Sequence, residues 1–308
     1  MITLIPPGAD GKVTLGVHDG HFHPDDVVCA ALLFMAYGRE RVRVVRSREA
    51  ETLEKCLYVL DVGERDLVTA DRVCLDHHQQ DSLTRPNGVK ASAAGKLMDL
   101  MFADEKDTLE EMRALFLDAL EAEDNGQELF PGGHVFSFAD VMNLTWREDP
   151  GEGDARFIAA AETAQRVLER AVAACRDAAE GKARVREALK NAGATVILDG
   201  RYPWQDTVIA HNKAHPEDKK LFVVYPDGRG RWSLKTVPRE RGGFTAEKDL
   251  PAAWAGLRDD ALCAATGVSG AIFCHKARFL AVFDSREGAI AAAAKAEDGR
   301  GDGGRVES

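Results

Sequence analysis

Apolar residues recur in short runs through the first quarter of the chain. Val13–Val17 (Val-Thr-Leu-Gly-Val) is rich in β-branched residues and predicts a buried strand. A polar loop over 18–24 follows, then Asp25-Asp26 and an apolar run, Val27–Tyr37, that stops at Gly38. Two acids before such a run and a glycine after it are start and stop signals of a buried helix. Val42–Val45, Leu57–Leu60 and Val73–Leu75 predict further short strands. Strands alternating with helices predict an α/β fold with a parallel sheet and helices on both faces. In such sheets functional loops lie at the carboxyl ends of the strands, and there His18, Asp61 and Asp76 fall.

Residues 91–103 and 107–123 carry helical periodicity, and 154–192 reads as one long Ala/Arg/Glu-rich helix or a broken pair. From Thr195 the pattern changes to short strands (Val196–Leu198, Leu221–Tyr225, Trp232–Val237, Ala271–Cys274, Phe279–Phe283) and an alanine-rich terminal helix. The pattern divides the chain into a first domain over 1–190 that includes the bridging helices, a second over 191–296 and a disordered tail over 297–308.

Composition narrows the classes. A chain of 308 residues suggests about two domains, and 45% apolar content is ordinary for a globular protein. Lys+Arg 40 against Asp+Glu 51 leaves a net charge of −11. That argues against a broad basic face gripping duplex DNA and leaves room for a locally basic cleft. No apolar stretch approaches the ~20 residues of a membrane helix. The opening Met1–Pro7 lacks the basic start and long apolar core of a signal peptide, so the protein is expected in the cytoplasm. Six scattered cysteines without a Cys-x-x-Cys pair read as buried reduced thiols.

Histidine breaks the even pattern: five of nine fall at His18, His21, His23, His77 and His78. The first group, His18-Asp19-Gly20-His21-Phe22-His23-Pro24-Asp25-Asp26, combines imidazole and carboxylate without thiolate. That set suits Mn, Mg, Fe, Co or Zn rather than Cu(I) or an iron–sulfur cluster. A polar turn capping a helix explains the acids but not the histidines. Asp61, at the end of an apolar run, needs a cation beside it, either a metal or an arginine. Asp76-His77-His78 directly follows a strand, and an aspartate that orients one imidazole nitrogen leaves the other for a metal. Asp124-Asn125-Gly126 also suits a plain helix-ending turn.

In this order the four motifs resemble the signature of the DHH phosphoesterase superfamily. More closely, they resemble the melanocyte proliferating gene family of metal-dependent exonucleases or hydrolases. That family begins His-Asn-Gly-x-Phe-His-x-Asp, against His18-Asp19-Gly20-His21-Phe22-His23-Pro24-Asp25 here. It continues with Asp-Val-Gly (61–63), Asp-His-His-Gln (76–79) and Asp-Asn-Gly (124–126). The likeness reaches Leu250-Pro251, Trp254, Gly256-Leu257-Arg258, Ile272-Phe273, His275 and Arg286-Glu287-Gly288-Ala289. Asp19 stands in place of asparagine, and Phe279-Leu280-Ala281-Val282-Phe283 replaces a glycine-rich stretch that lets substrate approach the backbone.

The resemblance implies a DHH-like parallel-sheet domain joined by a helical linker to a smaller α/β C-terminal domain. It also implies two divalent ions, Mn²⁺ first and Mg²⁺, Co²⁺ or Zn²⁺ as alternatives. His18, His23 and Asp61 would hold one ion, and Asp25, Asp61, His77 and Asp124 the other, with Asp61 bridging. His78 would face substrate as the catalytic group and Asp76 would orient a histidine, while His21 is either a contact or a polar loop residue. The reaction implied is hydrolysis of phosphodiesters by metal-activated water, in a 3′–5′ exonuclease acting on RNA or short oligonucleotides. A small-molecule phosphoesterase or pyrophosphatase, an amide hydrolase and a non-catalytic metal-dependent binding protein are the rivals, and a homodimer is left open.

For substrate binding in the second domain, His275, Lys276, Arg231 and Arg258 are the candidates. Arg229, Arg231, Lys235, Arg239 and Arg241 around Trp232 predict a hairpin that tracks a single strand, against the alternative of a solvated hairpin with a core tryptophan.

Overall fold

The structure, a computed structural model, describes residues 5–128, 135–144 and 152–299. The leader expectation on Met1–Leu4 and the tail expectation from Arg300 onward lie outside the described residues. Contacts divide the chain into two compact units, Met1–Asp177 and Ala178–Ser308.

The first unit is built on a five-stranded sheet of β1 (Val13–Val17), β2 (Val42–Arg46), β3 (Tyr58–Leu60), β4 (Leu67–Val68) and β5 (Val73–Leu75). The order is β2-β1-β3-β5-β4. All pairs are parallel except β4 against β5, an edge the sequence did not predict because two exposed residues leave no periodic signal. The helices are α1 (Pro24–Tyr37), the single turn α2 (Ala50–Leu53), α3 (Ala93–Met101), α4 (Lys106–Met112), α5 (Asp118–Asp124) and α6 (Phe138–Asn143). A π-helical turn, Arg113–Leu117, joins α4 to α5, so the single helix predicted over 107–123 is interrupted.

The two faces of this sheet are unequally covered. Leu15, Tyr58, Leu60 and Leu75 meet the main core together with α1, Leu97, Leu120 and Phe157. On the other face a small cluster of Leu53, Cys56, Val59 and Cys74 packs over the sheet. Gly16 is required there, because a Cβ would lie 2.8 Å from the Leu53 side chain. Helix α1 is buried from Pro24 to Phe34, as expected of a helix apolar on every side. Its acids stand inside the first turn rather than before it. His23 is the extended N-cap, Pro24 opens the helix, and Asp26 Oδ1 accepts the His23 N–H at 2.9 Å.

Helix α7 (Gly153–Lys190) runs unbroken where the sequence left one helix or two open. It ends at Lys190, and its last turns, with Val185, belong to the second unit's core. That unit contains β6 (Thr195–Ile197), α8 (Gln205–Ala214), β7 (Phe222–Pro226), β8 (Trp232–Thr236), α9 (Asp259–Thr266), β9 (Ala271–Cys274), β10 (Leu280–Phe283) and α10 (Arg286–Glu297). The sheet order is β6-β7-β8-β10-β9, antiparallel except for β6 with β7. The stretch that replaces the family's glycines is strand β10, with Ala281 and Phe283 fully buried. All six cysteines are free, and five are buried. Among the described residues no helix is long and apolar enough to cross a membrane.

Candidate metal centre

Three strand ends and three helix ends of the first unit converge on one buried group of side chains. His18 follows β1 and is 2% exposed. Its Nδ1 donates to the Asp19 carbonyl at 3.0 Å, which leaves the Nε2 lone pair facing Asp26 Oδ2 at 3.2 Å and Asp61 Oδ2 at 3.5 Å. His77 follows β5 and repeats the arrangement. Its Nδ1 donates to Asn125 Oδ1 at 3.2 Å, and Nε2 faces Asp61 Oδ1 at 3.2 Å and Asp124 Oδ2 at 3.1 Å. The Asn125 amide is oriented by donating to the Glu121 carbonyl at 2.8 Å, so the helix-ending Asp-Asn-Gly turn presents one residue to each imidazole nitrogen. An imidazole tied at one nitrogen and aimed at carboxylates with the other is the usual arrangement of a metal-binding histidine.

The carboxylates are fixed just as firmly. Asp61 ends β3 in the left-handed region, φ +58°, and donates its N–H to the Leu75 carbonyl at 2.9 Å. Aspartate is among the few residues that tolerate this conformation. Asp25 accepts the Ala93 and Ala94 N–H groups at 2.8 Å each, so the first turn of α3 holds both its oxygens. Asp76 does not face this group. Its Oδ1 accepts from His78 Nδ1 at 2.7 Å and from the His77 N–H at 2.8 Å.

The Asp76 peptide is itself clamped from both sides. Asp66 Oδ1 accepts its N–H at 3.0 Å, and Lys96 Nζ donates to its carbonyl at 2.5 Å and to Asp66 Oδ2 at 2.6 Å. Neither Lys96 nor Asp66 carried a signal in the sequence. Asp26 caps the helix with one oxygen and turns the other into the cluster, 3.2 Å from His18 Nε2.

Charge shows what this arrangement lacks. Among the described residues, His18 Nε2, Asp26 Oδ2, Asp61 Oδ1 and Asp124 Oδ2 are buried with no hydrogen-bond partner, all in this one place. Unpartnered lone pairs packed together are costly unless a cation or proton lies among them. The ionisation of the centre reflects this. Burial, then the Asp25 and Asp61 charges, push Asp124 up to about 9. Burial and Asp61 push Asp25 up to about 6. Burial opposes protonation of His77, but Asp61, Asp25 and Asp124 outweigh it and raise the imidazole to about 9. A divalent cation would supply the charge that these protons supply.

The donor set fits such ions. His18, His23 and Asp61 form one group and Asp25, His77 and Asp124 a second, the ligand atoms within each lying within 4.8 Å of one another. A third group, Asp61 with His77 and His78, overlaps them. The structure thus brings together His18, His23, Asp25, Asp61, His77 and Asp124, with Asp61 between the two histidine-bearing groups. His78 stands beside them, 3.8 Å from Asp61 and half-exposed. His21 is exposed, packs on Phe22 and His23, and belongs to none of the groups.

In the second unit the predicted substrate residues do not all meet. Arg258 lies over the Phe273 ring at 4.5 Å, and the His275 ring stands edge-on to the same ring at 6.2 Å and 4.4 Å from Phe279. Lys276 follows His275 in the exposed β9–β10 turn. Arg231 is at the other end of the sheet, because Trp232 pairs with Phe283 while Lys235 pairs with Leu280. The basic cluster expected around Trp232 is dispersed. Lys235 lies over Trp204, Arg241 pairs with Asp206, Arg239 approaches Glu247, and Arg286 lies over Trp232. Strand alternation separates Trp232 and Lys235 to opposite faces of β8, which the sequence spacing did not disclose.

Comparison with known proteins gives the same region coverage as the motifs. A family model described as uncharacterised protein family UPF0160, the MYG1 exonuclease model, matches residues 14–296. A MYG1 protein of Chlamydia muridarum is 31% identical over 286 residues, covering 89% of this chain and 93% of its own. The human MYG1 exonuclease is 30% identical over 319 residues, covering 91% of this chain and 84% of its own. A MYG1 protein of Dictyostelium discoideum is 26% identical, covering 92% and 96%.

Proposed function

The chain belongs to the MYG1 exonuclease family, UPF0160, and from that premise we propose that it is a hydrolase of phosphodiesters that works with two divalent metal ions. The observation that carries this reading is the convergence of four buried, unpartnered lone pairs on His18, Asp26, Asp61 and Asp124. His18, His23 and Asp61 would hold one ion and Asp25, Asp61, His77 and Asp124 the other, most simply Mn²⁺ for a donor set of imidazole and carboxylate. Bound ions would clamp the scissile phosphate and lower the pKa of water from ~15.7 toward neutrality.

The chain's own groups supply the rest. Asp61 neutralises charge from both sides of the centre. Asp76 holds the His78 ring by Nδ1, so the other nitrogen can hydrogen-bond a phosphate oxygen or pass a proton to the leaving group. Within the second unit, Arg258, His275 and Lys276 are the candidate contacts for nucleic acid, with Arg231 a separate candidate at the other end of the sheet. The substrate is RNA or a short oligonucleotide, degraded from its 3′ end. The net charge of −11 favours a second reading, a small phosphate ester or pyrophosphate.

The Mn²⁺-reloaded chain assayed in parallel on labelled RNA, labelled DNA, pyrophosphate and cyclic dinucleotides decides between them. Stepwise release of mononucleotides from RNA is the expected result. Turnover of pyrophosphate alone would select the second reading, and no phosphodiester turnover at saturating metal would overturn the first.

A further inference from the structure

One end of the second unit's sheet carries aromatic surface that the fold itself does not use. Phe244 is fully exposed, while Phe279 is 36% exposed beside His275. A single exposed ring would mean little. These two, however, sit at the same sheet end. The Phe279 carbonyl accepts the Thr236 N–H at 3.1 Å, at the end of β8. The chain leaving β8 then folds back on itself, with Arg239 N–H donating to the Thr245 carbonyl at 2.9 Å and Glu247 N–H to the Val237 carbonyl at 2.8 Å. Leu250 N–H donates to the Arg278 carbonyl at 3.0 Å, fastening the return of this loop to the His275–Phe279 turn. Three residues of extended chain, roughly 10 Å, separate Thr236 from Arg239. The two aromatic sites are therefore neighbours on a braced surface.

The tip that presents Phe244 is Arg239-Glu240-Arg241-Gly242-Gly243-Phe244. The side chains of Arg239 and Arg241 are 62% and 81% exposed, and their carboxylate neighbours are a 3.9 Å approach to Glu247 and a 3.3 Å pair with Asp206. Glu247 is held by Lys219 at 2.8 Å, so Arg239 only borders that pair, and the exposed Arg241–Asp206 pair is weak. Aromatic faces spaced along a surface with arginines between them are what a sequence-tolerant single-strand binder requires, because every base has a π-face and every link a phosphate. The sequence spacing pointed to Trp232 as the stacking aromatic; that ring is half-buried under Arg286.

We propose that Phe244, with Arg239 and Arg241, forms a second stacking place beside the His275–Phe279 turn, and that the ligand is single-stranded nucleic acid several nucleotides long. Resting on the phosphodiesterase reading, this selects an oligonucleotide over a small phosphate ester as the substrate class.

The test uses the full Mn²⁺-loaded chain and fluorescein-labelled, phosphorothioate-linked oligouridylates, which resist cleavage. Fluorescence anisotropy should show the 8-mer bound at least tenfold more tightly than the 2-mer. Phe244→Ala should lose about 5- to 140-fold in 8-mer affinity, the worth of one stacked base, and so narrow the 8-mer/2-mer ratio. Phe244→Trp should keep the ratio, and its added tryptophan emission should be quenched by the 8-mer. The fold of each variant is checked by circular dichroism.

An unchanged ratio in Phe244→Ala overturns the proposal. So does a ratio retained by Phe244→Leu, which would mark the tip as an apolar contact for another protein. Turnover of a nucleoside p-nitrophenyl ester by the parent chain separates the two levels. Ester turnover with no length dependence removes this inference and leaves the phosphodiesterase. Phe244-dependent binding without any phosphodiester turnover removes the enzyme reading and leaves a single-strand binding surface.

Discussion

Replacing Gly95 by alanine sets two effects of opposite sign against each other inside helix α3. On an open helix surface the change stabilises by about 1 kcal/mol through helix propensity. Here the new Cβ would overlap Glu121 Oε1 and lie 2.5 Å from its carboxyl carbon and 3.0 Å from Arg85 Nη2. Glu121 is fully buried and cannot retreat to solvent. It accepts from Arg85 Nη2 at 2.6 Å, from Arg85 Nε at 3.0 Å and from the Ser92 N–H at 3.3 Å. Arg113 and Asp99 complete the network, Arg113 Nη2 donating to Asp99 Oδ1.

Displacing a buried carboxylate from such partners costs about 3–5 kcal/mol, so the expected net loss is about 2–4 kcal/mol. For a unit of this size that corresponds to roughly 5–15 °C in melting temperature. Urea titration followed by far-UV circular dichroism measures it, and Glu121→Asp in the same background should give a combined loss smaller than the sum of the two single losses. Because Ala93 and Ala94 at the start of α3 hold Asp25, Mn²⁺ affinity should fall as well. A Gly95→Ala chain as stable as its parent would refute the close approach and the inference drawn from it.

Asp61→Asn keeps the side-chain shape and tolerates the left-handed backbone, yet removes the charge shared by two ligand groups. Turnover should drop by orders of magnitude with circular dichroism unchanged, and retention of more than about a tenth, under roughly 1.4 kcal/mol, would exclude a bridging role. His77→Ala should lose metal and activity together, whereas His78→Ala should keep metal by plasma mass spectrometry and lose ~10²–10⁴-fold in turnover; the reverse pattern would exchange their roles. Metal analysis of the reloaded chain should approach two equivalents, and saturation at one would reduce the centre to a single ion. The metal-free chain should lose stability as pH rises from about 4 to 9, through Asp25 up to about pH 6, Asp124 across the whole range and His77 above about pH 6.5. Asp25, Asp124 and His77 all have folded pKa values above their ordinary ones, so the folded state holds protons that the unfolded chain has released. Saturating Mn²⁺ should flatten that slope in thermal melts, and a metal-free melting temperature that climbs over this range would contradict the charge arrangement.

Of the residues that converge on the centre, His18, Asp61 and His77 were legible because they sit where strand periodicity ends, while His23, Asp25 and Asp124 stand at helix ends. Each of β1, β3 and β5 is a short apolar run, so the polar residue that breaks it stands out and is placed by topology at one sheet edge. What could not be read were partners distant in sequence and joined only by packing. Lys96 reaches the Asp76 carbonyl from a helix 20 residues on, and Glu121 reaches Gly95 across the core. Helices α8 and α9 escaped because their mixed polar composition lacks a clean apolar stripe. The hairpin cations were misplaced for a simpler reason: nearness in sequence says nothing about which end or face of a strand a side chain occupies.

The left-handed backbone at Asp61 also limits how this centre can be remodelled. Changing metal preference ordinarily proceeds by trading one ligand for another of different length or softness. At position 61 a glutamate would have to adopt a conformation that costs roughly 1–2 kcal/mol for most residues, and any longer side chain would crowd a residue only 2% exposed. His23 stands in ordinary extended backbone, φ −112° and ψ 168°, at the solvent-facing rim of the same ligand group. Diversification among relatives, or by directed mutagenesis, therefore has an open route through the rim histidine and a closed one through the central aspartate.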